Sequence, residues 1–184
     1  MRTEKQWLGQ LEPKIFKQFP PRLQRDLTDF PYKLSDIPKF GSHYIYGDTS
    51  TGKTLMAAHM YLQARKKQYF ERLPGKFFFI SAHDFFEELK ESFDSPDKDE
   101  HAIMAKYRIA EFLVLDDLGD TRFTDWSISQ LQVLINYRYE YLLPTVITSN
   151  LDLNQLAEAS GDDRISSRIT RMGKLLKLQK NWWK

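Results

Sequence analysis

The sequence predicts an α/β protein built on a parallel five-stranded sheet flanked by helices, and two observations support this prediction. Short apolar runs alternate along the 184 residues with segments of helical periodicity, which is typical of parallel strands joined by crossover helices. The runs at residues 76–81, 112–115 and 145–148 are continuously apolar, as expected for strands buried on both faces. The chain contains no internal repeat, and its length fits one domain.

Each predicted element follows from its local pattern. The strands are expected at residues 43–47, 76–81, 112–115, 145–148 and 175–178. Helices are expected where apolar residues recur at helical spacing, namely at residues 54–68, 84–93, 100–109 and after Asp125 and Arg164. Asp125 is the expected N-cap of its helix. The apolar stripe that follows is predicted to lie in the core and comprises Ile128, Leu131, Ile135 and Leu142.

The composition excludes several classes of protein. Hydrophobic residues make up 41% of the chain, so it can bury a core and is not intrinsically disordered. The absence of cysteine excludes a disulfide framework, a thiolate metal site and a cysteine nucleophile. No apolar run approaches the roughly 20 residues of a membrane span, and the first ten residues have no signal-peptide pattern. We therefore expect a cytoplasmic protein with no membrane partner.

The net charge of +2 hides an uneven distribution along the chain. Residues 164–184 contain seven basic residues and no acid, whereas residues 84–100 contain eight acids and two lysines. Opposite poles on one domain favour head-to-tail association of copies, or binding of phosphates by the basic end. Two solvated faces would produce the same pattern.

A glycine-rich loop between the first strand and the first long helix matches the pattern G-x-x-x-x-G-K-[ST]. Free backbone N–H groups and the helix dipole can bind a phosphate chain there. Lys53 would reach the β- and γ-phosphates of ATP, and the Thr54 hydroxyl would bind Mg²⁺. The expected nucleotide-binding residues are Gly47, Asp48, Thr49, Ser50, Thr51, Gly52, Lys53, Thr54 and Leu55.

Polar side chains follow two other predicted strands. Asp116 and Asp117 end the run of residues 112–115, where Asp116 could hold Mg²⁺ and Asp117 could deprotonate the attacking water. Asn150 ends the run of residues 145–148 and could sense the γ-phosphate. A turn-capping carboxylate and a turn-forming asparagine remain the alternatives.

Two arginines, Arg164 and Arg168, lie four residues apart on a predicted helix. Residues at this spacing share a helix face, so either could enter the nucleotide site of a neighbouring subunit as an arginine finger. Surface basicity is the alternative for both.

In order, the segments GDTSTGKT, FLVLDDLG, TVITSN and RISSRI resemble the AAA+ ATPases of the DnaC/DnaI helicase-loader and IstB transposition-helper family. The resemblance runs from about Phe19 to the basic end of the chain and implies an AAA+ P-loop fold without a helical lid. It includes residues 82–110, which are similar to the paired-helix insertion of initiators and loaders. It divides the chain into residues 1–18, a short segment, and residues 19–184, the ATPase domain.

The same resemblance implies a role for each site residue. Lys53 and Thr54 would bind nucleotide and Mg²⁺, Asp116 would be the metal carboxylate and Asp117 the catalytic base. Asn150 would be the first sensor and Arg168 the finger that acts on a neighbouring subunit. Family members more often carry Glu at the position of Asp117.

The function expected from this resemblance is an ATP-driven loader that assembles head to tail and places a replicative helicase on single-stranded DNA. A transposition helper that recruits a transposase, an ATP switch with little turnover and a P-loop kinase are the alternatives. Basic candidates for DNA contact are Lys90, Lys106, Arg108 and Arg122.

The first residues of the chain also place apolar side chains at roughly helical spacing, with Pro13 in the first turn of a helix. This segment either packs on the ATPase domain or docks on a partner as a short helix. Its apolar residues are Trp7, Leu8, Leu11, Ile15, Phe16 and Phe19.

Overall fold

The computed structural model describes residues 12–29, 37–38, 40–92, 99–119 and 123–179. Five parallel strands form one sheet in the order β2-β3-β4-β1-β5. Their bounds are β1 His43–Tyr46, β2 Phe77–Ser81, β3 Phe112–Leu118, β4 Thr145–Ser149 and β5 Lys174–Lys177. All five predicted strands are confirmed, and β3 is three residues longer than its apolar run because it continues through the two aspartates.

Helices cover both faces of the sheet. Their bounds are α1 Glu12–Phe16, α2 Pro21–Asp29, α3 Lys53–Glu71, α4 Ala82–Lys90, α5 Glu100–Arg108, α6 Asp125–Glu140, α7 Leu153–Ser160 and α8 Asp163–Met172. The predicted α/β fold with a parallel five-stranded sheet is therefore confirmed. None of the helices within the described ranges is long and apolar enough to cross a membrane.

The core consists of two apolar clusters, one on each face of the sheet. Alternate residues of β3 separate them, because Phe112 and Val114 lie in one cluster and Leu113 and Leu115 in the other. The first cluster packs α1, α2 and α3 against the sheet, and the second packs α4 to α8. Strands buried on both faces explain why the apolar runs show no polar alternation.

Two local predictions on α6 are wrong. The N-cap is Thr124, whose hydroxyl accepts a hydrogen bond from the Ser127 N–H in a capping box, so Asp125 is the first helical residue. Leu142 does not lie in the core, since it is 86% exposed. The helix ends at Glu140, and the left-handed backbone of Leu142, with φ 51°, turns its side chain away from the stripe.

Helix α7, which the sequence analysis did not identify, follows β4. Asp152 and Gln155 form a capping box at its start, a signal that the sequence contains. The predicted insertion between β2 and β3 comprises α4 and α5. Phe93, at the expected end of the first insertion helix, lies outside the described residues, as do Trp7, Leu8, Leu11 and Arg122.

Candidate nucleotide site

The loop from Gly47 to Thr54 connects β1 to α3 and depends on two glycines. Gly47 has φ 147°, and a Cβ there would lie 2.3 Å from the carbonyl oxygen of Leu178. Gly52 caps α3 in the left-handed conformation, with φ 83°. A side chain at either position would strain the backbone or collide with β5. The loop therefore lies at the carboxyl edge of the sheet with its backbone close to the neighbouring strand.

Lys53 is nearly buried at the start of α3, with 7% of its surface exposed. Its Nζ donates hydrogen bonds to the carbonyl oxygens of Gly47 and Asp48, both at 2.9 Å, and to Asn150 Oδ1 at 2.6 Å. Burial lowers the pKa of Lys53, and the carboxylates of Asp117, Asp116 and Asp48 oppose this shift. The ammonium group is thus held among oxygen acceptors that phosphate oxygens could replace.

The two aspartates of β3 lie in a β-bulge. Leu115 pairs with Ile147 and Leu118 with Ser149, so Asp116 and Asp117 together face the single residue Thr148 of β4. Asp117 has φ 60°, a left-handed conformation that is uncommon for residues other than glycine, although aspartate tolerates it better than most. Consecutive residues of a regular strand point to opposite faces, whereas both aspartates here line the same cavity. The bulge thus brings the two carboxylates together.

Asp116 is 7% exposed and is hydrogen-bonded by two threonines. Thr148 Oγ1 donates to Asp116 Oδ1 at 2.6 Å, and Thr54 hydrogen-bonds the same carboxyl group. Burial raises the pKa of Asp116 to about 6, against the effect of these hydrogen bonds and of Lys53. The carboxyl and hydroxyl oxygens around Asp116 therefore form a site that favours a positive charge. Such a site suits a hard cation such as Mg²⁺.

The residues of this site fit Mg²⁺ better than they fit a metal ion whose ligands all come from protein side chains. In the described ranges, no three His, Cys, Asp or Glu side chains gather into a metal cage. Mg²⁺ usually takes one or two protein ligands and completes its shell with water and substrate phosphates. Asp116 and Thr54 would supply those two ligands.

A cavity of about 780 Å³ lies beside the loop, within the ~300–1,000 Å³ typical of small-molecule sites. Residues 49–55 of the loop, both aspartates of the bulge and Asn150 line it. The nucleotide-binding and carboxylate residues expected from sequence are therefore gathered around one space. Gly47 and Asp48 contribute through their carbonyl oxygens, which accept from Lys53.

The two candidate finger residues lie elsewhere. Arg164 and Arg168 are on α8, and neither lines the cavity. Arg164 is paired with Asp162 at 2.7 Å. Arg168 donates to the Arg164 carbonyl oxygen at 3.3 Å, and its buried Nε has no hydrogen-bond partner. Arg168 therefore does not reach the nucleotide cavity of its own chain.

Sequence reasoning missed three contributions to the site. Thr148, which contacts both aspartates, was treated only as part of a strand. Phe19 and Leu23 line the cavity from the segments around α1 and α2, and Asp84 lines it from α4. Ile15 and Phe19 are also buried in the core cluster that contains α3, at 3% and 4% exposure. Residues 12–29 thus pack on the sheet domain and form one wall of the site.

Three of the four basic residues expected to contact DNA lie in the described ranges and have intramolecular partners. Lys90 pairs with Glu87 at 2.9 Å, and Lys106 pairs with Glu88 at 2.8 Å. Arg108 lies over the ring of Tyr137, with its Cζ 4.3 Å from the centroid. These contacts offset part of the positive charge of the insertion.

Two curated proteins of Bacillus subtilis (strain 168) are similar in sequence. The uncharacterized protein YqaM is 31% identical over 138 residues, which is 70% of this chain and 39% of that protein. The replicative helicase loader DnaI is 26% identical over 159 residues, which is 85% of this chain and 49% of that protein. The chain therefore spans half or less of the length of these relatives.

Solved structures share the fold. The DnaC helicase loader superposes with a TM-score of 0.62 at 24% identity, over 96% of this chain and all of that one. The replication initiator DnaA, bound to AMPPCP and single-stranded DNA, superposes with a TM-score of 0.64 at 18% identity, over 94% of this chain and 47% of that one. Both comparisons place the sheet and its P-loop among AAA+ folds.

A family model extends the comparison over most of the chain. The model of the IstB-like ATP binding protein matches residues 25–177, a range that includes the loop, the bulge, Asn150 and α8. With its glycine loop, its AAA+ fold and this match over residues 25–177, the chain belongs to the IstB-like ATP-binding protein family.

Proposed function

We propose that this chain is a Mg²⁺-dependent ATPase that assembles head to tail and loads a replicative helicase onto single-stranded DNA. The observation that supports ATP hydrolysis best is the grouping of Lys53, Asp116, Asp117 and Asn150 around one cavity beside the glycine loop. The relation to the helicase loader DnaI over 85% of the chain supports the loading step.

In this proposal each side chain has one task. Lys53 exchanges the carbonyl oxygens of Gly47 and Asp48 for the β- and γ-phosphate oxygens of ATP. Asn150, freed from Lys53, hydrogen-bonds the γ-phosphate and the attacking water. Asp117 accepts the proton of that water. Mg²⁺, held by Asp116 and Thr54, would neutralise the phosphate charge that develops during transfer.

The finger role of Arg168 requires a second copy of the chain. Arg168 does not line the nucleotide cavity of its own chain. This position is required of an arginine that acts on the nucleotide of a neighbouring subunit. The mixing of two inactive variants tests this role. Lys53→Ala and Arg168→Ala should each lack turnover, and the mixture should recover part of it because one type of interface then holds both groups. Arg164→Ala, which removes an arginine already paired with Asp162, is the matched control and should keep turnover.

A transposition helper is the second candidate, and the match to the IstB-like family model favours it. The two candidates share the ATP chemistry and differ in the protein that they recruit. Purified replicative helicase from the same host should transfer to circular single-stranded DNA only with this chain and ATP if it is a loader. Retention of the transposase instead, on double-stranded DNA with ATP, would favour the helper.

The proposal also includes docking of the partner protein on residues 1–18. Residues 12–18 include Ile15, which is buried in the ATPase core, so a truncation that tests partner binding must keep the chain from Glu12 onward. A chain that starts at Glu12 should therefore keep its stability and ATP binding and lose its partner. If that chain still retains the partner, the docking surface must be sought on α4 and α5.

A further inference from the structure

The β-bulge of β3 depends on one residue of β4. Thr148 is fully buried and stands opposite both Asp116 and Asp117. The N–H of Asp117 donates to Thr148 Oγ1 at 2.8 Å, and Thr148 Oγ1 donates to Asp116 Oδ1 at 2.6 Å. One hydroxyl group therefore contacts both residues of the bulge.

Only a hydroxyl can serve both contacts. A hydroxyl group has one O–H donor and lone pairs that accept, so it can donate to a carboxylate and accept from a backbone N–H simultaneously. Valine has the same shape and neither function, and it would leave the Asp117 N–H and the buried Asp116 carboxyl group without this partner. The ladder cannot supply a replacement, since the bulge interrupts the register between Leu115 and Leu118.

The geometry around Asp117 indicates that this contact serves more than packing. Its φ of 60° lies in the left-handed region, which few residues other than glycine adopt, and such a conformation persists where the surrounding structure holds it in place. The hydroxyl of Thr148 holds the backbone of Asp117 and the side chain of Asp116 relative to each other. Thr54, at the start of α3, contacts the same carboxyl group and connects it to the glycine loop.

We propose that Thr148 is a positioning residue for ATP hydrolysis, whose single hydroxyl holds the metal carboxylate Asp116 and the base Asp117 in their productive arrangement. This inference rests on the proposed ATPase function. Thr148 is fully buried behind the two aspartates, so we expect it to contact neither the nucleotide nor the attacking water. Its loss should therefore affect turnover more than nucleotide binding.

Three variants of Thr148 isolate the hydroxyl, and a fourth variant elsewhere is the control. Thr148→Val replaces the hydroxyl of the wild type with a methyl group. Thr148→Ser differs from Thr148→Ala only by the presence of the hydroxyl. We expect Thr148→Val and Thr148→Ala to lose at least 10-fold in kcat, while Thr148→Ser stays within about 3-fold of the wild type. Affinity for ATP measured in EDTA should change less than 3-fold in all of them. Thr28→Val, which removes an exposed hydroxyl bonded to the Gln24 carbonyl oxygen, should leave every value unchanged.

Dependence on Mg²⁺ provides the second measurement. The Mg²⁺ concentration that gives half-maximal turnover should rise at least 5-fold in Thr148→Val and Thr148→Ala and remain near the wild-type value in Thr148→Ser. If Thr148→Val does not fold, the Ser and Ala pair decides the result. Equal loss of kcat in Ser and Ala, or full activity in Ala, would overturn the positioning role. A wild-type chain without ATP turnover, even with single-stranded DNA at high protein concentration, would instead refute the ATPase function on which the inference rests.

Discussion

Buried charges occur at both edges of the sheet, and the two edges use them differently. At the amino ends of β3 and β4, Arg138 is fully buried and donates five hydrogen bonds. Its acceptors are the carbonyl oxygens of Tyr107, Arg108, Ala110 and Pro144, and the Thr145 hydroxyl. At the carboxyl ends, Lys53 and Asp116 are nearly as buried, and the backbone beside them is strained at Ser50 and Asp117.

This difference separates a structural use of buried charge from a functional one. All three nitrogens of the Arg138 guanidinium donate to protein oxygens, so the group joins the segment before β3 to the segment before β4. Because Arg138 is fully buried, a ligand cannot reach it. The ammonium of Lys53 is bonded to oxygens that a phosphate could replace, and it lines an open cavity. Burial shifts pKa values at both edges, since it lowers the pKa of Arg138 to about 9 and raises that of Asp116 to about 6. We therefore expect mutations at the first edge to lower stability and mutations at the second to lower binding or turnover.

The largest effect should come from Arg138. Arg138→Met removes all five hydrogen bonds and leaves buried carbonyl oxygens unpaired, so the free energy of unfolding should fall by about 3 kcal/mol or more. Urea denaturation measures it, with Arg25→Met as the control at an exposed arginine. Nucleotide affinity below the transition should be unchanged. A small loss of stability would show that water replaces the guanidinium, and the contrast between the edges would fail.

Lys53→Ala should show the opposite pattern. Without the ammonium, the phosphate charge is poorly compensated in a partly desolvated loop, so ATP affinity should fall at least 100-fold, which corresponds to about 2.7 kcal/mol. The free energy of unfolding without nucleotide should fall less than in Arg138→Met, because only three hydrogen bonds are lost and Lys53 lines a cavity that water can enter. Calorimetric titration with ATP and urea denaturation give the two values. Unchanged ATP affinity would contradict the assignment of the loop.

Asp117→Asn separates binding from chemistry at the same edge. The amide keeps the size of the carboxylate and cannot act as a base, so turnover should fall about 100-fold while ATP affinity stays within 3-fold. Single-turnover kinetics and titration measure the two quantities. Parallel loss of both would mean that Asp117 holds the loop or the metal instead.

The smallest effect is a pH dependence of stability at Asp116. Its pKa is about 6 in the native chain against an ordinary 3.8, so the native state binds the proton more tightly than the unfolded state. Stability from this group is present below about pH 4 and is lost as the pH rises through 6. Asp116→Asn should therefore be more stable than the wild type by about 1–3 kcal/mol at pH 8 in EDTA and similar to it at pH 4. Lower stability of the variant at pH 8 would show that the carboxylate anchors the bulge.

The sequence alone determines the parts of this protein that depend on local patterns. Continuous apolar runs specify the strands β2, β3 and β4, and the spacing of glycines, lysine and threonine specifies the loop between β1 and α3. The polar residues that end β3 and β4 could be assigned to the site because parallel strands bring their carboxyl ends to one edge. The capping box of α7 is also a local signal, which the analysis overlooked.

Only the tertiary structure decides what depends on residues distant in the chain. Thr148 lies 31 residues from Asp117, and the register of β4 against a bulged β3 sets their contact. The wall formed by Phe19 and Leu23 and the position of Arg168 outside the cavity likewise follow from packing across the sheet. Sequence periodicity reports which face of an element is buried, whereas pairing register and packing determine which side chains meet. The physical reason is that a hydrogen bond between two side chains depends on the three-dimensional placement of both. A shift of one residue in the pairing of two strands reverses the face on which each strand residue lies.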